Sequence, residues 1–276
     1  MMKKLSCIIL IAAITGFSGC NKKADEIDYN PNVLSAKDYV KAEDALFDVI
    51  NAFFKGVNDT AVLNSGFGYI DDCSVYYYPG EDSMTYGYGS VDRYCHDQKY
   101  RRGMFIAKFD GDVFEQGVNA RIITDSLFVN NIPYETNLNI TNLGINLSNL
   151  TEFKIELISS LYFLPDTAVK NGITLNGTLS LVWEEGHSTP EIHEDDTYLV
   201  SGSITGISSD LYQFSVNIQT PLVNYLDCCW LKSGTSGITV PGAQYPDGTM
   251  DYITEDECNN LVNFFFNDNL FFEVIR

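Results

Sequence analysis

The sequence predicts an all-β protein, an antiparallel meander of hairpins forming a curved sheet, a sandwich or a partly open barrel, with one N-terminal amphipathic helix. Two observations carry this prediction. Apolar and polar residues alternate along most of the chain after Gly68, and short turn signals separate the alternating segments. Between these segments we find no helical pattern long enough for a crossover, so antiparallel pairing is expected.

Four segments show the two-residue period of a half-buried strand most clearly. They cover 118–128, 153–157, 173–183 and 212–218. In the first of them the even-numbered residues, from Val118 to Phe128, form the predicted core face. Short turns should join successive strands, because Asn, Gly, Ser and Asp favour tight turns. The turn signals are Asn130-Asn131, Asn171-Gly172, Ser208-Ser209-Asp210 and Asn267-Asp268-Asn269.

The segment from Ser35 to Gly56 predicts the helix. Ser35 is the expected N-cap, with Asp38 three residues further on, and Gly56 is the expected stop. Apolar residues recur between them at helical spacing, which predicts one buried face against the sheet. The alternative is that this face binds a partner. The apolar residues are Tyr39, Leu46, Val49, Ile50 and Phe53.

The first nineteen residues have the pattern of a signal peptide. Lys3 and Lys4 precede the apolar run 5–14, and Ser18 and Gly19 stand directly before Cys20. Phe17-Ser18-Gly19-Cys20 resembles the lipobox of bacterial lipoproteins, which implies diacylglycerol on the Cys20 thiol and an acyl chain on its amino group. The alternative is an ordinary secretory signal with a cysteine there by chance. We therefore expect a signal peptide at 1–19, a lipidated tether at 20–34 and a single β-rich domain at 35–276.

The tether indicates where the protein is displayed. In Asn21–Glu26 a lysine pair is followed at once by acidic residues. This resembles the surface-export signal of Bacteroides-type lipoproteins, and the alternative is a merely solvated tether. The apolar run 5–14 is too short to span a bilayer. We expect a protein held at the outer membrane by its N-terminal lipid, exposed at the cell surface if the export signal acts and facing the periplasm if the tether is merely solvated.

The charge of the chain excludes one class of partner. It has 37 acidic against 17 basic residues, a formal net charge of −20. Such a field repels phosphate backbones, so no nucleic-acid partner is expected. The same acidity favours solubility.

Five cysteines remain after Cys7 leaves with the signal peptide and Cys20 is lipidated. In an oxidising compartment Cys73 can pair with Cys95, and Cys258 with Cys228 or Cys229. The alternative is that most of them are buried thiols. Next to Cys95 stands His96, but neighbours on a strand point to opposite faces, which argues against a nucleophile–base pair.

Two segments also resemble a known group of proteins. The run Cys95–Asn131 and the closing run Cys229–Arg276 are similar to segments of uncharacterised Bacteroides-type cell-envelope lipoproteins. Those proteins have an acidic-Tyr-Gly turn and Cys-Asp-Asn where this chain has Asp251-Tyr252-Ile253 and Cys258-Asn259-Asn260. The resemblance implies a lipoprotein with a β fold and implies no activity.

Motifs of catalysis are missing from the sequence, which favours a noncatalytic protein. We find no nucleophile elbow, zinc-protease helix, phosphate loop or EF-hand, and predict no cofactor. The one concentrated polar segment is 184–196, where two imidazoles and several carboxylates could hold a divalent cation. A solvated acidic hairpin is the alternative, and glycosidase-type carboxylate chemistry a third reading. The candidate metal ligands are His187, His193, Glu194 and Asp195.

Three functional hypotheses follow. The first is a noncatalytic envelope lipoprotein that binds a glycan, peptide, lipid or protein, or serves structurally. The second is a carrier of lipid or another apolar ligand in a cavity between the curved sheet and the helix. The third is an envelope hydrolase that uses the acids of 184–196. An exposed Tyr and Trp patch would favour the first, and an apolar cavity the second.

Overall fold

The computed structural model describes residues 31–59, 64–70, 74–80, 82–162, 172–189, 192–253, 258–267 and 269–274. The predicted signal peptide, Cys20 and Cys73 lie outside these ranges. No helix in the described ranges is both long and apolar enough to cross a membrane.

One long helix precedes a run of strands. The helix is α1 (Pro31–Asn58), and a short 3-10 turn (His193–Asp195) lies between β8 and β9. The strands are β1 (Phe67–Ile70), β2 (Ser74–Gly80), β3 (Ser83–Tyr94), β4 (Tyr100–Phe109), β5 (Asn119–Val129), β6 (Ile132–Ile145), β7 (Thr151–Tyr162), β8 (Ile173–Glu185), β9 (Thr197–Ile207), β10 (Gln213–Tyr225), β11 (Ser233–Thr239), β12 (Asp247–Tyr252), β13 (Leu261–Phe266) and β14 (Asn269–Val274).

The strands form one antiparallel sheet in which each strand pairs with its neighbours in sequence. The order runs from β1 to β14 without a crossover in the described residues, and β1 and β14 are its edges. This confirms the all-β meander with one N-terminal helix. Of the three predicted shapes, the structure has a single open sheet. Short loops enforce this order, because a tight turn can only return the chain beside the strand it has left.

The sheet curves around α1, which contacts β1, β7, β8, β12 and β13. The prediction of one buried face was wrong. Successive residues such as Ala45, Leu46 and Phe47 are all buried, and together they cover most of the circumference of the helix. A helix surrounded by apolar contacts belongs to the core. The helix therefore fills the inside of the curved sheet.

Both ends of the helix differ from the prediction. It begins at Pro31, four residues before Ser35, so the predicted tether 20–34 overlaps it, and it continues through Gly56 to Asn58. Proline suits the first turn because its missing N–H would have no partner there. Ser35 lies inside the helix, and its buried hydroxyl has no hydrogen-bond partner within the described ranges, so it is not a cap. Tertiary burial outweighs the local start and stop signals here.

Polar side chains of α1 pair with the sheet along its whole length. The pairs are Asp38 with Ser209, Glu43 with Tyr252, Asp48 with Lys99, Asn51 with Asn224, and Asn58 with Asp196. Ser209 follows β9 and Asp196 precedes it, so α1 runs antiparallel to β9. Apolar burial is non-directional, whereas hydrogen bonds need defined positions. These pairs fix how α1 is rotated and placed inside the sheet.

A bulge in β5 changes the predicted core face. Ala120 and Ile122 are buried as expected, but the register shifts between Ile123 and Phe128, and Ser126 has a φ of 52°. An extra residue in one strand reverses the side-chain alternation beyond it. Leu127 is consequently buried, and Phe128 lies on the outer face.

Candidate functional site

The acidic hairpin between β8 and β9 does not assemble a metal site in the described residues. The ring of His187 is exposed and packs edge-on near Trp183, with centroids 6.4 Å apart. His193, Glu194 and Asp195 form the 3-10 turn, where the Thr189 hydroxyl donates to Asp195 at 2.7 Å. No group of three or more His, Cys, Asp or Glu side chains in the described ranges could hold a metal ion.

Asp196, at the end of the same hairpin, has a structural position. Its carboxylate accepts hydrogen bonds from Trp183 Nε1 at 2.9 Å and from Asn58 Nδ2 at 3.3 Å. Burial raises the pKa of this carboxyl to about 7, although the two hydrogen bonds act in the opposite direction. A side chain at Gly186 would overlap the carboxylate. Through Asp196 the hairpin thus holds the end of α1, while Glu184, Glu185 and Glu194 are exposed to solvent.

The described cysteines include both disulfide-bonded residues and a free thiol. Cys228 is joined to Cys258, which is one of the two pairings left open by the sequence. Cys95 also takes part in a disulfide. Cys73, its predicted partner, lies outside the described residues, and Cys229 is the free cysteine of the described ranges.

The Cys229 thiol lies close to His96, in a contact that the sequence did not indicate. The distance from Sγ to Nε2 is 3.6 Å, although the two residues are 133 positions apart. Burial, followed by the nearby Asp97 carboxylate, raises the pKa of the thiol to about 12. A nucleophilic cysteine needs the thiolate form. The raised pKa therefore disfavours the thiolate at Cys229.

A charged cluster is buried between α1 and the start of β4. Lys99, only 1% exposed, contacts Asp44 at 2.7 Å and Asp48 at 3.0 Å. Arg101 contacts Asp48 at 3.0 Å and donates two hydrogen bonds to Asp97. The charged cluster thus joins three carboxylates to two cations. Beside it a cleft of about 40 Å³ has room for a few water molecules only.

The ionisation of the charged cluster follows from its geometry. Burial lowers the pKa of Lys99, but the carboxylates of Asp44 and Asp48 outweigh burial and the pKa rises above its ordinary value. Burial raises the pKa of Asp44 to about 6 in spite of Lys99. Burial also acts to raise the pKa of Asp97, but the hydrogen bonds from Arg101 lower it overall. Lys99, Asp44 and Asp97 are therefore predominantly charged at neutral pH, and the contacts within the charged cluster stabilise it as a unit.

A depression lies on the outer face of β2–β5, and we call it the outer-face groove. It has a volume of about 520 Å³. Its floor is low because Gly87, Gly89 and Gly103 carry no side chain, whereas the intervening Tyr86 and Tyr88 are buried on the inner face. The residues lining the groove are Val75, Thr85, Gly87, Gly89, Ser90, Arg93, Gly103, Met104, Asp125 and Ser126.

Backbone irregularities shape this groove. Gly103 has a φ of 89°, and a Cβ there would overlap the carbonyl oxygen of Ser126 at the β5 bulge. The register of β3 against β4 also shifts between Gly87 and Gly89. Glycine is required at such a close approach because any side chain would collide. The bulge and the glycines together open the groove.

Polar groups and exposed aromatic rings border the groove. The guanidinium of Arg93 lies over Gly89 and makes no ion pair or hydrogen bond within the described part of the chain. Tyr69, 66% exposed, is the register partner of Val75 in the lining and therefore shares its face. Phe67 lies beside Tyr69, with ring centroids 5.3 Å apart.

The sequence pointed to aromatic residues as a binding patch but not to these two. Tyr86, Tyr88 and Trp183 are core residues, so none of the three contributes to an exposed aromatic patch. The side chains of Tyr76, Tyr77 and Tyr78 are outside what the structure describes. The signal that could have indicated the groove is the run Gly87-Tyr88-Gly89 within a strand, because glycine in a strand marks a bulge or a close approach.

These features were compared with known proteins. The chain matches no protein-family model, no curated protein and no solved structure. The function is therefore inferred from the chain's own residues.

Proposed function

We propose that this chain is a lipid-anchored protein of the bacterial outer membrane, exposed at the cell surface, whose β domain binds a ligand noncatalytically in the outer-face groove. The observation that carries the proposal is the groove itself. It combines a glycine floor, the guanidinium of Arg93, which has no ion-pair partner among the described residues, and neighbouring exposed rings at Tyr69 and Phe67. Ligand sites typically join apolar surface to a few placed polar groups in a pocket of about 300–1,000 Å³.

The two alternatives have less support. A carrier needs room between helix and sheet, and the cleft found there is polar and has a volume of about 40 Å³. A hydrolase needs converging acids in a cleft. Glu184 and Glu185 are exposed, while Asp196 is engaged by Trp183 and Asn58. A second depression of about 370 Å³ on β8–β10 has no charged side chain in its lining, so it offers fewer groups for recognition.

The anchor is supported by the lipobox and by its distance from the fold. Ten residues separate Cys20 from the first residue of α1, Pro31. Fully extended, they would reach at most about 35 Å. Multiple acyl chains on one cysteine give stable membrane binding, whereas a single chain does not.

Replacing Cys20 by alanine is expected to abolish lipidation. The full chain carrying Cys20→Ala should incorporate no labelled palmitate and should move from the detergent-rich to the aqueous phase in Triton X-114 partitioning. Cys7→Ala is the matched control, because Cys7 lies within the predicted signal peptide and should leave both readouts unchanged. Equal palmitate labelling of Cys20→Ala and the wild type would contradict the lipobox assignment and favour an ordinary secretory signal.

Filling the groove is expected to release a bound ligand. The wild-type chain, purified from its own envelope, should carry extra mass in native mass spectrometry that leaves after a denaturing wash. Gly87→Phe should lose that mass, because a Cβ at Gly87 meets only one backbone oxygen, at 3.9 Å, so the ring can enter the groove.

Ser203→Phe supplies the matched control for this experiment. Ser203 is exposed on β9, outside the groove, so this variant should retain the ligand. A wild-type mass equal to the bare polypeptide less its disulfide hydrogens would count against a tightly held ligand. Equal retention by the two variants would place the ligand elsewhere.

A further inference from the structure

We propose that the ligand of the outer-face groove is a neutral carbohydrate chain, an inference that rests on the proposed function. It depends on four properties of the groove: the strands beneath it, the charge of its lining, the hydrogen-bonding groups of its lining and the aromatic rings at its border.

The strands under the groove have no free edge. β3 pairs with both β2 and β4, and β4 pairs with both β3 and β5. Their backbone N–H and C=O groups are therefore used within the sheet. An extended peptide obtains affinity on a sheet mainly by adding a strand to an open edge. Over the groove such a peptide would lack those partners, so a ligand that relies on side-chain contacts fits better.

The lining is neutral in a strongly acidic protein. It contains one positive group, Arg93, and one negative group, Asp125, so its formal charges cancel while the whole chain carries −20. A polyanion would be repelled by the surrounding field. A neutral ligand avoids that cost.

The polar groups of the lining match hydroxyl groups. Arg93 only donates hydrogen bonds, the Asp125 carboxylate only accepts them, and Thr85, Ser90 and Ser126 can do both. A sugar hydroxyl can donate to the carboxylate and accept from the guanidinium. Charged partners strengthen both kinds of bond. The many hydroxyls of a carbohydrate chain would supply partners for both charged groups.

The exposed aromatic rings fit the apolar faces of a sugar ring. Tyr69 and Phe67 stand one strand away from Val75 on the same face, so they extend the groove with apolar surface. A pyranose ring presents C–H groups on its faces and hydroxyls at its rim. Aromatic side chains bind such apolar faces, and a tyrosine hydroxyl adds a polar contact at the edge.

Titration calorimetry with the full chain in detergent tests the inference. The probes are hexasaccharides of glucose, mannose and xylose, with a hexauronate and an uncharged hexapeptide for comparison. At least one neutral hexasaccharide should bind. Tyr69→Ala and Arg93→Met should each weaken that binding about tenfold, the loss expected for one ring contact or one charged hydrogen bond.

Two substitutions outside the groove are matched controls. Arg121→Met removes an exposed arginine of β5, and Leu147→Ala removes a fully exposed leucine of the β6–β7 turn. Both should bind like the wild type. No binding by any neutral hexasaccharide, tighter binding of the hexauronate or the peptide, or equal binding by all variants would overturn the inference. The retention experiment with Gly87→Phe needs no knowledge of ligand chemistry, so its outcome separates failure of this inference from failure of the proposed function.

Discussion

Lys99→Met is expected to lower the free energy of unfolding by about 3–5 kcal/mol, the cost of breaking a buried ion pair from one side. Lys99 is 1% exposed and contacts the carboxylates of Asp44 and Asp48. Methionine has a similar length but no charge, so both carboxylates would stay buried and rely on Arg101 alone. Urea denaturation of the full chain, followed by tryptophan fluorescence, measures the loss.

The same substitution at an exposed ion pair is the control. Lys154 contacts Glu156 at 3.1 Å with both side chains more than a third exposed. Lys154→Met should change the free energy of unfolding by less than about 1 kcal/mol, because water already solvates that pair. Adding Asp44→Asn to Lys99→Met should recover part of the loss. Equal losses at the two lysines would show that the charged cluster does not stabilise the attachment of α1.

Glu43→Gln is expected to remove a pH dependence of stability. Glu43 is buried on α1 and accepts hydrogen bonds from Tyr39, at 2.6 Å, and from Tyr252. Burial raises its pKa from 4.5 to about 7 in the folded protein, although the tyrosine hydrogen bonds act in the opposite direction. The folded state therefore holds this proton more tightly than the unfolded state does.

The sign of the effect follows from this difference. The contribution of Glu43 is fully present below pH 4.5 and is lost as the pH rises through about 7. At about 1.4 kcal/mol per unit of pKa difference, the loss is about 3 kcal/mol. Glutamine cannot ionise and can still accept from one tyrosine and donate to the other. Glu43→Gln should match the wild type near pH 4 and exceed its stability by about 3 kcal/mol at pH 8.

Denaturation curves of both proteins from pH 4 to pH 8 test this expectation. Glu135 is an exposed acid of β6, and Glu135→Gln should keep the wild-type pH profile. Asp196 and Asp44 also have raised pKa values, so the wild type should lose stability over the same range for several reasons. The difference between wild type and Glu43→Gln isolates one carboxyl. A constant difference at every pH would contradict the buried, protonated state of Glu43.

Local sequence pattern was sufficient to predict β8 and the β5–β6 turn, whereas Asn171 and Asp268 of two other predicted turns lie outside the described residues. The alternation along 173–183 predicted β8, which spans Ile173–Glu185, and Asn130-Asn131 predicted the β5–β6 turn, where both residues have positive φ. These features depend on neighbours in sequence, because side-chain direction alternates residue by residue and asparagine tolerates that turn conformation. The alternation wrongly predicted Phe128 to face the core. Phe128 lies on the outer face because the register of β5 shifts against β4 and β6, which the local sequence does not show.

The candidate site was harder to predict from sequence patterns than the strands were. The segment 184–196 is rich in polar residues, yet its Asp196 accepts hydrogen bonds from Trp183 and Asn58 and has a structural role. The outer-face groove is assembled from four strands, and its lining contains only two charged residues, separated by 32 positions. No local motif marks it. Its shape depends on which strands lie side by side and on where the glycines coincide across them.

The sequence by itself determined the acidity, the all-β class and the presence of an N-terminal helix, because each follows from composition or from the periodicity of neighbouring residues. The tertiary structure decided that the helix is enclosed on nearly all sides, that Lys99 and Glu43 are buried with partners far along the chain, and that three glycines open a groove on the outer face. Sheet curvature and long-range pairing bring these residues together. Both depend on contacts between strands distant in sequence, which no local window of the chain contains.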